Sequence, residues 1–264
     1  MKRFLILILA SAFAVSCSEY QKALKSEDSG VKYAQAEKKY EQGKYSKAIR
    51  LFEQLAPNYK GKPQAEKMFY MFAQSYYKTE QYYLSGYQFE TFAAGYPRSE
   101  KAEEAAYLSA KSYAKLSSRY SLDQTDTDKA VDKLQAFIDK YPDSEYLKEA
   151  NETMKGLREK LEKKAYEIAY GYNKISDYKS AITAFDNFVA DFPGTIYKEK
   201  ALYYRLDSTY KLAINSIPAK MEERLNQAKG AYSTLLKAYP ESAYRKDAEE
   251  MLAKIETDLK QFAK

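Results

Sequence analysis

Apolar residues recur along this chain with the period of an α-helix, in five series, each closed by an aromatic residue. Four of the closing aromatics precede proline: Tyr96-Pro97, Tyr141-Pro142, Phe192-Pro193 and Tyr239-Pro240. Three residues before them lie Ala93, Ile138, Val189 and Leu236, and four before lie Phe92, Phe137, Phe188 and Leu235. Seven before lie Phe89, Leu134, Phe185 and Tyr232, and eleven before lie Ser85, Ala130, Ala181 and Ala228. These offsets share one face of a helix. Tyr59 fits the same frame through Ala56, Leu55, Phe52 and Ala48, but Lys60 follows it in place of proline. The pattern predicts five helices, the first a variant.

The intervals repeat as well. Ser99, Ser144, Thr195 and Ser242 stand three residues past the aromatic, where a hydroxyl can cap the next helix. Proline disfavours the α conformation at the aromatic before it and so ends the preceding helix. Small residues Ala105, Ala150, Ala201 and Ala248 follow at a constant offset, as close helix packing requires. Tyr45, Tyr82 and Tyr178 stand fourteen before the aromatic, two of them in the similar contexts "GKYSKAI" and "SDYKSAI". A short turn, Tyr-x-x-Ala-φ and a proline after an aromatic resemble the tetratricopeptide repeat, though these units exceed its ~34 residues. The expected fold class is all-α: an α-solenoid of about five tetratricopeptide-like helix pairs, in which each pair stacks on its neighbours to bury its apolar face. "SSRYSLDQTDTDKA" reads as one long connection. "SEYLKEANETMKGLREKLEKKAYEIAYGYNK" reads as a long helix joining the third and fourth units, and Glu241 to Phe262 as a capping helix.

The N-terminus breaks the pattern. Lys2 and Arg3 precede an apolar run from Phe4 to Val15, then Ser16 and Cys17, the chain's one cysteine. A basic start, a short apolar stretch and a small residue make a secretory signal, and the run is shorter than the roughly 20 residues a membrane span needs. Ala14-Val15-Ser16-Cys17 resembles the lipobox of bacterial lipoproteins. That resemblance implies lipidation (acyl chains such as palmitate) at Cys17 and removal of residues 1–16. The remaining divisions expected are a tether at 17–30, N-terminal repeats at 31–142 and C-terminal repeats with the cap at 143–264.

Composition narrows the chemistry. The formal net charge of +6 is mild and no dense basic run appears, so nucleic acid is not an expected partner. There is no His, and the single Cys is the expected lipid site, which removes the commonest general base and metal ligand. No G-x-S-x-G, Walker A or G-x-G-x-x-G occurs. Neither an enzyme, a catalytic residue, a cofactor nor a metal site is expected. Asp123, Asp126 and Asp128 lack the Gly and distal Glu of an EF-hand, and read as a solvated loop whose last Asp caps a helix.

Tyrosine is the abundant residue, 28 of 264. On the repeat frame it reads as packing. Off the frame, "MFYMFAQSYYKTEQYYLSGY" holds more aromatic surface than one helix pair buries. Phe69, Tyr70, Phe72, Tyr76, Tyr77 and Tyr83 are therefore the candidate peptide groove, because aromatics give contact area at low entropic cost. The run Lys155, Arg158, Lys160, Lys163, Lys164, interleaved with Glu152, Glu159 and Glu162, reads mainly as a solvated face of i,i+4 pairs. Its members Arg158, Lys160, Lys163 and Lys164 are the candidate partner-docking set.

The lipobox, the order of the five units, the Asp-containing loop before "DKLQAFIDKYPDSEYLKEA" and the long helix "LREKLEKKAYEIAYGYNKISDYKSAITAFDNFVADFPGT" together resemble the BamD family. These are outer-membrane tetratricopeptide-repeat lipoproteins of the β-barrel assembly machinery. The resemblance implies a non-enzymatic scaffold held at the bacterial outer membrane by its lipid anchor alone and facing the periplasm. Its partners would be the POTRA domains of a BamA-like barrel-inserting subunit, through the C-terminal half. Its N-terminal half would take unfolded outer-membrane barrel precursors by their aromatic-ending C-termini. The alternative is another tetratricopeptide envelope lipoprotein that binds peptidoglycan, glycan or another protein.

Overall fold

The computed structural model describes residues 19–262, and Cys17 and the expected signal lie outside them. The described residues are helical, with no strand: α1 (19–25), α2 (Ser29–Glu41), α3 (Tyr45–Tyr59), α4 (Ala65–Lys78), α5 (Tyr82–Gly95) and α6 (Ala102–Leu116). Then follow α7 (Thr125–Lys140), α8 (Leu147–Lys174), α9 (Tyr178–Asp191), α10 (Lys198–Ile214), α11 (Pro218–Ala238) and α12 (Arg245–Leu259). A short 3₁₀ turn, Lys260–Phe262, ends the described chain. The five predicted helices are α3, α5, α7, α9 and α11, each the second of a helix pair.

The repeat frame is the core. Ala48, Phe52 and Leu55, then Phe89 and Phe92, Leu134 and Phe137, Phe185 and Phe188, and Ala228 and Leu235 are all buried. Each of the leucine and phenylalanine side chains withdrawn from water contributes about 1.5–3 kcal/mol. The aromatic after the second helix leaves the helical conformation every time proline follows. Tyr96 has φ −127° and ψ 59°, Tyr141 −128° and 67°, Phe192 −124° and 67°, Tyr239 −136° and 81°. Without that proline, α3 runs through Tyr59 and carries Pro57 inside it. The recurrent alanines, Ala105, Ala150, Ala201 and Ala248, are fully buried.

The recurrent hydroxyls cap, but one turn early. Ser99, Ser144, Thr195 and Ser242 accept from the backbone N–H two residues on, at 3.0, 3.1, 3.2 and 3.1 Å. The next helix starts three residues after each, because their carbonyls first close a tight turn, as in Ala102 N to Ser99 O at 3.0 Å. Tyr45, Tyr82 and Tyr178 open α3, α5 and α9. Before each stands a left-handed residue: Gly43 (φ 68°), Glu80 (φ 59°) and Ser176 (φ 63°). That conformation lets Lys44, Gln81 and Asp177 donate back to Lys39, Tyr76 and Tyr172, at 2.9, 2.9 and 3.0 Å.

Two compact units form. Of the described residues, the first takes in those up to Ser118 and Asp123–Leu157; the second takes in Arg119–Leu122 and Arg158 to Phe262. The boundary between these units along the main chain falls inside α8. In each unit the helix pairs stack on one another, the α-solenoid arrangement. Residues 19–25, expected in the tether, are helical, with Tyr20 and Ala23 buried in the core of the first pair. The connection between α6 and α7 is shorter than expected, because α7 starts at Thr125. Asp123, the first of the three Asp residues and not the last, accepts from Thr125 N at 2.9 Å. Asp126 and Asp128 lie in the first turn, where the helix dipole favours negative charge. In the second unit, α12 packs on α10 and α11, burying Ala248 and Ile255.

Candidate peptide groove

The aromatic cluster of the first unit divides on folding. Phe72 and Tyr76 are core, 3% and 4% exposed, and Tyr76 OH donates to Glu53 Oε1 at 2.9 Å. Tyr70 is half-buried, its ring 5.9 Å from Phe89 and 5.5 Å from Phe92. Tyr77 meets Tyr82 edge-on at 5.7 Å. Only Phe69 and Tyr83, of the six candidates, reach a common concave surface.

That surface is an open groove of about 890 Å³. Phe69 and the α3–α4 turn at Lys60 and Gly61 form one side, and Phe92 and Tyr96 continue its apolar lining. Tyr83, Tyr87, Tyr113, Lys129 and Lys133 complete it. Tyr83 and Tyr87 stand 60% and 56% exposed. They lie one turn apart on α5, so their rings share one face. Lys129 Nζ sits 4.2 Å from the Tyr113 ring centroid and 5.4 Å from that of Tyr83, within cation–π range. Lys133 pairs with Glu90 at 2.7 Å. Burial, with Glu90 nearby, pushes the Tyr113 hydroxyl up to about 12, so it stays neutral at physiological pH. The groove therefore offers aromatic faces beside ammonium groups, a chemistry that suits an apolar chain segment carrying a carboxylate.

The sequence missed Tyr87, Tyr113, Lys129 and Lys133. They come from three helices, and only stacking α5, α6 and α7 assembles them. One signal was present: Gly86 inside the helical pattern. A Cβ there would stand 3.0 Å from the Tyr113 ring, so this glycine lets α6 bring Tyr113 against α5. Ser109 Oγ, donating to Gly86 O at 2.8 Å, holds the same approach.

The candidate docking lysines are not a plain solvated face. Lys163 Nζ lies 4.4 Å from the Tyr120 ring centroid, and Lys164 Nζ donates to Leu122 O at 2.6 Å. Lys160 is half-buried, and burial lowers its pKa. Arg158 is exposed. The loop 119–122 thus meets the run at Lys163 and Lys164. Among the described residues, no group of three or more metal-ligating side chains occurs, and no helix is long and apolar enough to cross a membrane.

Stacked helix hairpins with this turn chemistry define a helical-repeat protein of the tetratricopeptide type. The chain belongs to the outer membrane lipoprotein family YfiO, whose model matches residues 25–225 and 163–262. No curated protein matches the chain. Among solved structures it is similar to the TPR2AB domain of yeast Sti1, in its complex with pHSP90, at 13% identity and a TM-score of 0.36. That likeness covers 86% of this chain and 98% of the other.

Proposed function

We propose that this protein is the BamD-type scaffold of an outer-membrane β-barrel assembly machinery. It is non-enzymatic, faces the periplasm and is anchored by lipid at Cys17. Its first unit receives unfolded barrel precursors, and its second docks the POTRA domains of a BamA-like subunit. The observation that carries this reading is the aromatic groove. It is open, so a chain segment can enter along it without a lid. Tyr83 and Tyr87 present flat apolar faces, and Lys129 beside them supplies the positive charge that an aromatic residue ending in a carboxylate would seek. In the second unit, Ile168 and Tyr172 on α8 and Ile175 in the turn just after it are exposed apolar side chains, and α8 also carries Arg158, Lys160, Lys163 and Lys164. These side chains are where docking is best sought.

Photo-crosslinkers at Tyr83 and Ile175 test both halves in native membranes. Barrel precursors captured at Tyr83 and a POTRA-bearing protein captured at Ile175 are the expected products. Glycan or peptidoglycan fragments at Tyr83, with no precursor, would replace this reading with that of a glycan-binding envelope lipoprotein.

A further inference from the structure

The chain enters the first unit through a cluster of cations. Tyr20 on α1 is buried, and its hydroxyl donates to Lys47 O at 3.3 Å, fixing α1 to the start of α3. Lys47 Nζ lies 5.4 Å from the Tyr20 ring centroid and Lys39 Nζ 6.0 Å from it. Lys39 is itself buried. Burial lowers its pKa first, and Lys44, Lys47 and Lys38 lower it further. Arg50 is near enough to act on Tyr20. Lys38, Lys44, Lys47 and Arg50 are all exposed. Against them stand Glu19, which pairs with Lys38 at 3.1 Å, and Glu41 at the end of α2. The repeat fold has no need of so many like charges around one buried lysine, since surface cations repel across such distances.

The place of the cluster gives its partner. Cys17 stands two residues before Glu19, the first described residue. Two residues of chain reach at most about 7 Å. Because α1 is docked by Tyr20 and Ala23 rather than free, an acyl chain on Cys17 would hold this end of the first helix pair at the headgroup layer. Anionic headgroups within a Debye length, ~10 Å, of cations held there would attract them.

We infer that Lys38, Lys44, Lys47 and Arg50, gathered beside the docked helix α1, form a membrane-contact face for anionic lipid headgroups. The inference rests on acylation at Cys17. The lipid tail supplies the attachment, and the face sets which side of the first unit lies against the bilayer. Each cation near an anionic surface adds to the attraction, and added salt removes it.

The chain has no Trp, so Gln21→Trp, at an exposed position of α1, is a unique reporter. The acylated full-length protein carrying it is reconstituted into vesicles of phosphatidylcholine, alone or with phosphatidylglycerol. Both preparations contain a headgroup-labelled quenching lipid. The expected result is roughly twofold stronger quenching on the anionic vesicles, reversed by salt. The further change Lys44→Gln, Lys47→Gln, Arg50→Gln leaves the buried Tyr20 contact, made to a backbone carbonyl, in place. It should bring quenching on anionic vesicles down to the neutral level, with an unchanged circular dichroism spectrum. Equal quenching on both vesicles, or retention of the anionic effect in the triple variant, would overturn the face. A mass spectrum showing no acyl group on the N-terminal peptide would overturn the anchor, and the face with it.

Discussion

At the residue scale, the turn inside a helix pair demands a left-handed backbone, and the sequence meets that demand unevenly. Gly43 adopts φ 68° freely, whereas Glu80 and Ser176 hold φ 59° and 63° with a Cβ. Nothing lies within 4 Å of a Cβ added at Gly43, so the cost of Gly43→Ala is backbone strain alone, about 1 kcal/mol. Glu80→Gly should stabilise by roughly 0.5 kcal/mol, the strain relieved being offset in part by the greater freedom of unfolded glycine. Urea unfolding of the two variants should show midpoint shifts of opposite sign. Gly86→Ala is a different case, since its Cβ would meet the Tyr113 ring at 3.0 Å. Overpacking there should cost about 1–3 kcal/mol. It should also weaken capture of a precursor-derived peptide by more than the same change at Gly95, where nothing lies within 4 Å.

At the element scale, the many tyrosines hold successive helix pairs together. The fifth residue past the closing aromatic stacks on a tyrosine of the preceding pair. Tyr146 stacks on Tyr107 (4.6 Å, 9°), Tyr197 on Tyr166 (5.3 Å, 15°) and Tyr244 on Tyr203 (4.4 Å, 14°). In the second repeat Lys101 takes that place and sets its ammonium 5.6 Å from the Tyr70 ring centroid. The inner tyrosines touch the second helix of their own pair, Tyr107 at Phe137 and Tyr166 at Phe188. Tyr244→Leu keeps apolar volume and removes the stack, so it should cost ~1 kcal/mol. Paired with Tyr203→Leu in a double-mutant cycle, it should show a coupling of similar size. A coupling near zero would mean that the rings merely fill space.

At the scale of the whole molecule, the buried tyrosines make stability fall in alkali. Burial raises Tyr113 and Tyr146 to about 12, and raises Tyr107 and Tyr166 further still. Above the unfolded value near 10 the unfolded chain loses protons that the folded chain keeps, so stability decreases with rising pH. The contribution is fully present below pH 10 and is lost progressively as pH rises above 10. Thermal midpoints should hold from pH 7 to 9 and drop sharply by pH 11. Absorbance at 295 nm should show Tyr107, Tyr113, Tyr146 and Tyr166 ionising together with unfolding.

The sequence by itself determined the five helix pairs, their punctuation and most of their core. Those features are local: a helical period, a proline that forces the aromatic before it out of the helix, a hydroxyl that reaches a nearby N–H. It also contained the stacking tyrosines, in "YPDSEY", "FPGTIY" and "YPESAY", although their partners lie in another helix and so could not be read from one stretch. Only the tertiary structure decided which aromatics are walls and which are core. Tyr76 and Tyr83 are both tyrosines of the second repeat, yet one lies buried against Glu53 and the other stands beside Lys129. The difference depends on what α3 and α7 bring alongside, and that is fixed by stacking between repeats, beyond the reach of any local pattern.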